Sequence, residues 1–221
     1  MYNQKIYKNS SDLELIKYIS IITMIIDHVG LLFYPGFNEF RIIGRFALIG
    51  FSFILAYNYR YNTKNKTQYK IRLFKWAIIS QVPYSLAFGY EAGINIMFLL
   101  LMALITIDIF SSIYKNEKVL MPSFYLTTIL ILSYYTGYFL FGVLVIVFFY
   151  FALDNKINII FLLLSLAALN FSLLYAPFAL VYAYIILYRL DTSFNIPRLQ
   201  GYYFYAFYPT HLLILWLIAL I

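Results

Sequence analysis

An aspartate and a histidine stand side by side, Asp27-His28, two-thirds of the way along the first long apolar run of this chain. In hydrocarbon an ionisable side chain is costly unless it is paired or wetted, so such residues mark a pathway or a reaction centre. Imidazole titrates near neutral pH and suits a general base or a nucleophile. Two arginines, Arg41 and Arg45, follow in the second apolar run. At a rise of about 1.5 Å per residue, His28 lies roughly 22 Å from the inner end of the first run, with Asp27 just below it. Arg45 lies roughly 21 Å from the inner end of the second run, and Arg41 about 6 Å farther out. The short turn Pro35-Gly36-Phe37-Asn38-Glu39 makes the two runs antiparallel neighbours, so Asp27, His28 and Arg45 share a depth. Consecutive helical residues do not face each other, which argues against Asp27 orienting His28. The expected ion pair is Asp27–Arg45, with His28 left to project into a cavity. The alternative is a purely structural bridge, with His28 hydrogen-bonded to a carbonyl.

The elements that position these groups follow from composition. Of 221 residues, 64% are hydrophobic and 11% charged, where a soluble domain is about 25% charged. The chain reads as an all-α, polytopic transmembrane helical bundle forming one domain over residues 1–221. Its apolar runs match the roughly 20 residues that span a bilayer and lack the alternation of an outer-membrane barrel. About nine spans are expected, within a range of eight to ten: 13–34, 42–59, 73–88, 96–114, 122–135, 138–153, 157–173, 175–190 and 203–221. Thr136-Gly137 marks either a turn between the fifth and sixth, a kink, or a re-entrant tip. The first run is expected to be a retained signal-anchor, because Pro35 and Phe37 follow it in place of a small-residue cleavage site. The absence of cysteine excludes disulfides, thiolate metal sites and cysteine nucleophiles. Two histidines at different depths, with few carboxylates near, leave no metal site.

Basic residues set the orientation. Lys5, Lys8 and Lys17 lie at the amino terminus, and Arg60, Lys64, Lys66, Lys70, Arg72 and Lys75 follow the second run. Lys115 and Lys118, Lys156, and Arg189 and Arg198 follow the fourth, sixth and eighth. All fall on one side if the amino terminus is cytoplasmic, and only Arg41 and Arg45 break the pattern. The net charge of +7 therefore faces membrane lipids and is no nucleic-acid footprint.

Lys17 precedes His28 by eleven residues, almost three turns, which places both on one stripe. A cation near the inner face below a deep imidazole suits a ligand with an anionic head and a long reactive tail; alternatively Lys17 snorkels to the interface. Asp108 either pairs with Lys17 or lines the same mouth. The basic segment 60–75 reads as a topogenic, lipid-binding loop or as a landing surface for phosphates. Pro83 frees a backbone carbonyl in mid-membrane, and Asn95 is an N-cap or a pocket amide. His211, in the aromatic run 202–211, sits only about 12 Å from the inner face, roughly 10 Å from the depth of His28, so no direct histidine pair is expected.

Four stretches carry a family resemblance. Ile22-Thr23-Met24-Ile25-Ile26-Asp27-His28-Val29-Gly30 resembles the opening motif of the TraX family, polytopic inner-membrane proteins that include the acetylase of conjugative F-type pilin. Arg41-Ile42-Ile43-Gly44-Arg45-Phe46-Ala47 resembles the second motif, with Leu48 where the family often has proline. Ser80-Gln81-Val82-Pro83-Tyr84-Ser85-Leu86-Ala87-Phe88 and Tyr205-Ala206-Phe207-Tyr208-Pro209-Thr210-His211-Leu212 resemble the third and carboxy-terminal motifs. Such proteins are more distantly similar to membrane acetyltransferases that modify O-antigen sugars and lysosomal heparan sulfate. The resemblance implies a bacterial inner-membrane acetyltransferase using cytosolic acetyl-CoA, with His28 as general base or transient acetyl carrier, beside Asp27. Arg45 and Arg41 would stabilise the oxyanion, and the donor side would draw on Lys17, Arg41, Arg72, Lys75 and His211. The acceptor would be an amino or hydroxyl group of a peptide, sugar or lipid. Competing readings are a non-enzymatic assembly factor, or a proton-coupled transporter; the latter commonly shows internal repeats, and none is apparent between the halves.

Overall fold

Nine α-helices and no strands follow one another among the residues described by the computed structural model, 8–115, 122–154, 159–169, 176–193 and 195–221. They are α1 (Ser10–Phe33), α2 (Asn38–Tyr57), α3 (Lys66–Phe88), α4 (Ile96–Tyr114), α5 (Pro122–Tyr134), α6 (Phe139–Ala152), α7 (Ile159–Leu169), α8 (Ala176–Tyr184) and α9 (Gly201–Ala219). Among the described residues each expected span overlaps one helix, and Thr136-Gly137 is a turn between α5 and α6. The stretches 157–158, 170–173 and 175 of the expected spans, and the basic residues Lys5, Lys118 and Lys156, lie outside the described residues. Among the described residues four helical stretches are long and apolar enough to cross a membrane, Ser10–Phe33, Asn38–Asn62, Tyr90–Tyr114 and Gly201–Ala219, and three shorter apolar helices accompany them. The chain is thus a helical membrane bundle, with Ile214, Leu217 and Ile218 of α9 exposed as lipid-facing residues would be.

One correction concerns the basic segment 60–75. Most of it is helix, because α3 begins at Lys66 and not near Leu73. Asn65 caps it, its side chain accepting from the Gln68 amide at 2.9 Å, and the residues that follow are good helix formers. Upstream, α2 ends in a widened π turn over Asn58–Asn62.

The α1–α2 hairpin packs closely, and glycines make it so. A β-carbon on Gly30 would stand 2.2 Å from Cβ of Phe40, one on Gly44 2.1 Å from Oδ1 of Asp27, and one on Gly50 2.0 Å from Oγ of Ser20. Small residues let two backbones approach this closely where water offers no hydrophobic drive. These contacts fix the register, and they bring Asp27 against Gly44. The core proper lies where α2, α4 and α6 meet, around Phe53, Leu104 and Phe149.

The stretch between α8 and α9 climbs beside the first turns of α1. Thr192 N donates to Asp12 Oδ1 at 2.8 Å, Tyr18 OH to the Pro197 carbonyl at 3.4 Å, and Leu199 N to Glu14 Oε2 at 3.0 Å. As a result α9 starts level with Glu14 and Tyr18, well along α1. Near the same end Lys8 Nζ donates to the Leu190 carbonyl at 2.7 Å, and burial holds its ammonium below the usual lysine range against the opposing pull of Asp12 and Asp191.

Candidate functional site

The hairpin register decides which arginine meets Asp27. Gly44 is the residue of α2 that abuts Asp27; Arg41, three residues before it, lies on that same face. Arg45, one residue past it, is turned by about 100°. Accordingly Arg41 Nη1 donates to both carboxylate oxygens of Asp27 at 2.9 Å. The expected Asp27–Arg45 pair does not form. Arg45 instead places its guanidinium over the Tyr138 ring, 5.7 Å from the centroid, and its buried Nε has no hydrogen-bond partner among the described residues.

A second correction is larger. His28 Nδ1 and His211 Nε2 are 2.8 Å apart, with ring planes within 6° of each other. Depth counting from the helix ends had separated them. It fails because the climbing stretch before α9 lifts the start of that helix. Ten residues separate Tyr18 from His28, and ten separate Gly201 from His211, so both rise about 15 Å from one level. His211 Nδ1 lies 3.0 Å from the Phe207 carbonyl, and the Phe207 ring stacks parallel to the imidazole, with centroids 5.1 Å apart. Phe88 closes edge-on against His28 at 5.2 Å.

Two cavities meet beside this pair. The larger, 1050 Å³, opens at the basic end of the bundle, where Lys17, Lys64, Arg72 and Arg198 line it. It stops one turn short of His28, at Met24. The smaller, 510 Å³, lies toward the opposite end and is lined by Asp27, His28 and Arg41 together with Tyr84, Tyr138 and Tyr208. Met24, Leu48, Phe51, Ile96 and Tyr208 line both. Along α1, Lys17, Ile21, Met24 and His28 run as one stripe from the first cavity into the second.

The remaining sequence candidates separate clearly. Lys17 pairs with Glu14 at 2.6 Å at the cavity wall, and Arg72 lines the same cavity. Lys75 is exposed and lines neither cavity. His211 lines neither and sits buried behind His28. Asp108 does not approach Lys17; it binds Lys70 and accepts from Tyr59 OH at 2.7 Å. Arg60 pairs with Asp154 and donates to Tyr150 OH at 3.0 Å. Two of the six cations of the basic segment, Arg60 and Lys70, are therefore spent on ion pairs with neighbouring elements. Asn95 caps α4, accepting from Met97 N at 3.0 Å, while its amide donates to the Ala77 carbonyl at 2.8 Å and to Gln81 Oε1 at 2.9 Å. It knits α3 to α4 and lines neither of these two cavities. Sequence reasoning did not single out Tyr84, Tyr138 or Tyr208 as cavity walls. Tyr84 and Tyr208 sit inside quoted motifs, whereas nothing local distinguished Tyr138 among 24 tyrosines.

The family described as TraX protein matches residues 12–219, nearly the whole chain. An uncharacterised protein of Rickettsia prowazekii (strain Madrid E) is 36% identical over 84 residues, 38% of this chain. That match spans 32% of the Rickettsia protein, so about a third of the curated relative's length is covered. No solved structure matches the chain.

Proposed function

The chain belongs to the TraX family, and from that membership we propose that it is a membrane-embedded acetyltransferase of the bacterial inner membrane. It moves an acetyl group from cytosolic acetyl-CoA to an amino or hydroxyl group of a peptide, sugar or lipid. The observation that carries this reading is the position of His28, on the smaller cavity and one turn beyond the end of the larger one.

The larger cavity fits the donor. At 1050 Å³ it reaches the top of the range of about 300–1,000 Å³ typical of ligand sites. Its mouth offers Lys17, Lys64, Arg72 and Arg198 to phosphates, and its throat, at Met24, Leu48 and Ile96, is apolar. From Lys17 to His28 the stripe rises about 16 Å, a distance that a pantetheine arm can cover. The basic end then faces the cytosol, in keeping with the distribution of Lys and Arg.

His28 takes the proton from the acceptor N–H or O–H as that atom bonds to the acetyl carbon. The C–S bond breaks, and His28 returns the proton to the departing thiolate. General base assistance of this kind contributes about 10²–10⁴-fold. Arg41 takes the role first expected of Arg45. One of its nitrogens holds Asp27, and the N–H groups left over can stabilise the oxyanion in a site shielded from water.

The test uses protein purified into nanodiscs, with acetyl-CoA and a panel of amine and hydroxyl acceptors, following thiol release and acetylated product by mass spectrometry. Wild type transfers acetyl; His28→Ala, folded as judged by monodisperse elution, does not. Undiminished transfer by His28→Ala refutes the base assignment. Proton flux in vesicles without any thiol release would favour the transporter reading, which the two abutting cavities also suit.

A further inference from the structure

We infer that His211 is a positioning residue that fixes the tautomer of His28, so that its Nε2 is the bare, basic nitrogen on the cavity. The inference rests on His28 acting as the base, as proposed above, although its direct test does not.

The reasoning starts at the carbonyl. The Phe207 oxygen can only accept, so the nitrogen 3.0 Å from it, His211 Nδ1, carries its proton. In a neutral imidazole one nitrogen donates and the other accepts. His211 Nε2 is therefore an acceptor, and it faces His28 Nδ1 at 2.8 Å. A bond of that length needs one proton, and only His28 Nδ1 can supply it. His28 Nε2 is then left without a proton, and among the described residues it hydrogen-bonds to nothing, while the ring lines the smaller cavity.

This order of bonds runs carbonyl, His211, His28, with each link set by the one before. In a serine-type triad a carboxylate fixes the tautomer of the base. Asp27 is next to His28 in sequence but is held by Arg41, so here a neutral imidazole performs that task. The arrangement has a second consequence. When His28 Nε2 gains a proton, the Nδ1–H already points at a lone pair, and the new charge is shared along the coplanar pair without either ring turning. The stacked ring of Phe207 and the helix turn that supplies its carbonyl keep His211 from rotating out of this geometry.

The two histidines are the only ones in the chain, which makes a direct test practical. Protein labelled with ¹⁵N-histidine gives long-range ¹H–¹⁵N correlations that distinguish a protonated from a bare ring nitrogen. At a pH where both rings are neutral, both are expected as Nδ1–H tautomers, the reverse of the Nε2–H form that free histidine favours in water. His211→Phe should release His28 into the Nε2–H form, whereas His211→Gln, whose side-chain oxygen can still accept, should retain Nδ1–H. In the acetyl-transfer assay His211→Phe should lose about 10²-fold in kcat with KM for acetyl-CoA unchanged, and His211→Gln should recover part of it. A wild-type His28 found as Nε2–H, or one whose tautomer ignores His211→Phe, overturns the inference. If instead the tautomers follow the pattern above while His28→Ala transfers acetyl normally, the positioning stands and the base assignment falls.

Discussion

Gly44→Ala offers the sharpest test of how the site is seated. The added methyl would lie 2.1 Å from Oδ1, 2.3 Å from Cγ and 2.4 Å from Cβ of Asp27. Carbon contacts settle near 3.5 Å or more, so the carboxyl must retreat by roughly 1.4 Å or the helices must part. Neither movement is free, because Arg41 holds both carboxylate oxygens at 2.9 Å. Overfilling a packed contact costs about 1–3 kcal/mol, and stretching charge-assisted bonds a further 1.5–3 kcal/mol or so. The Arg41 side chain keeps 31% of its exposure, so solvent screens part of the second cost, and a total of about 2–4 kcal/mol is expected. Two other glycines calibrate this figure. Gly36→Ala meets nothing within 4 Å and should stay within about 0.5 kcal/mol of wild type. Gly50→Ala strikes the Ser20 hydroxyl at 2.0 Å, which can rotate aside, so about 1 kcal/mol is expected. Reversible unfolding by SDS in mixed micelles, followed by circular dichroism, ranks the three. If Gly44→Ala is no less stable than Gly36→Ala, the account of the α1–α2 seat is wrong.

Other outcomes follow from the same geometry. Lys17→Ala and Arg72→Ala should each raise KM for acetyl-CoA about five-fold, roughly 1 kcal/mol per partly screened contact, with kcat little changed and the effect shrinking in high salt. Lys75→Ala should leave both constants alone; steady-state kinetics showing Lys75→Ala equal to Arg72→Ala would count against the larger cavity as the donor site. Asn95→Ala removes the α4 cap and the amide's bonds to the Ala77 carbonyl and Gln81 Oε1, while Gln81 Oε1 keeps the backbone N–H of residue 95, at a cost of about 1–3 kcal/mol. Because Asn95 lines neither cavity, turnover per folded molecule should persist, and a loss of turnover in folded protein would give it a role it is denied here.

The helices themselves were legible because each problem is local. A bilayer demands apolar runs of one length, and the punctuation at Pro35-Gly36 and Thr136-Gly137 separates them. The stripe of Lys17 and His28 was equally legible, since it depends only on the period of one helix. What the charged start of α3 would do was less so: an Asn65 cap outweighs the polarity that made residues 66–72 look like loop. Asn95 left two readings open until Ala77 and Gln81 were seen beside it.

The pairings at the site belong to tertiary structure. From sequence, Asp27, His28, Arg41, Arg45 and His211 could be named, because charge and imidazole inside hydrocarbon stand out against their surroundings. Their partners could not, because a partner depends on how one helix is rotated and shifted against another. Rotation came from the glycine face of α2, which turned Arg41 toward Asp27 and Arg45 toward Tyr138. The shift came from the stretch that climbs α1 before α9, which raised His211 to His28. Both depend on contacts between residues far apart in the chain, and periodicity along a single helix carries no information about them.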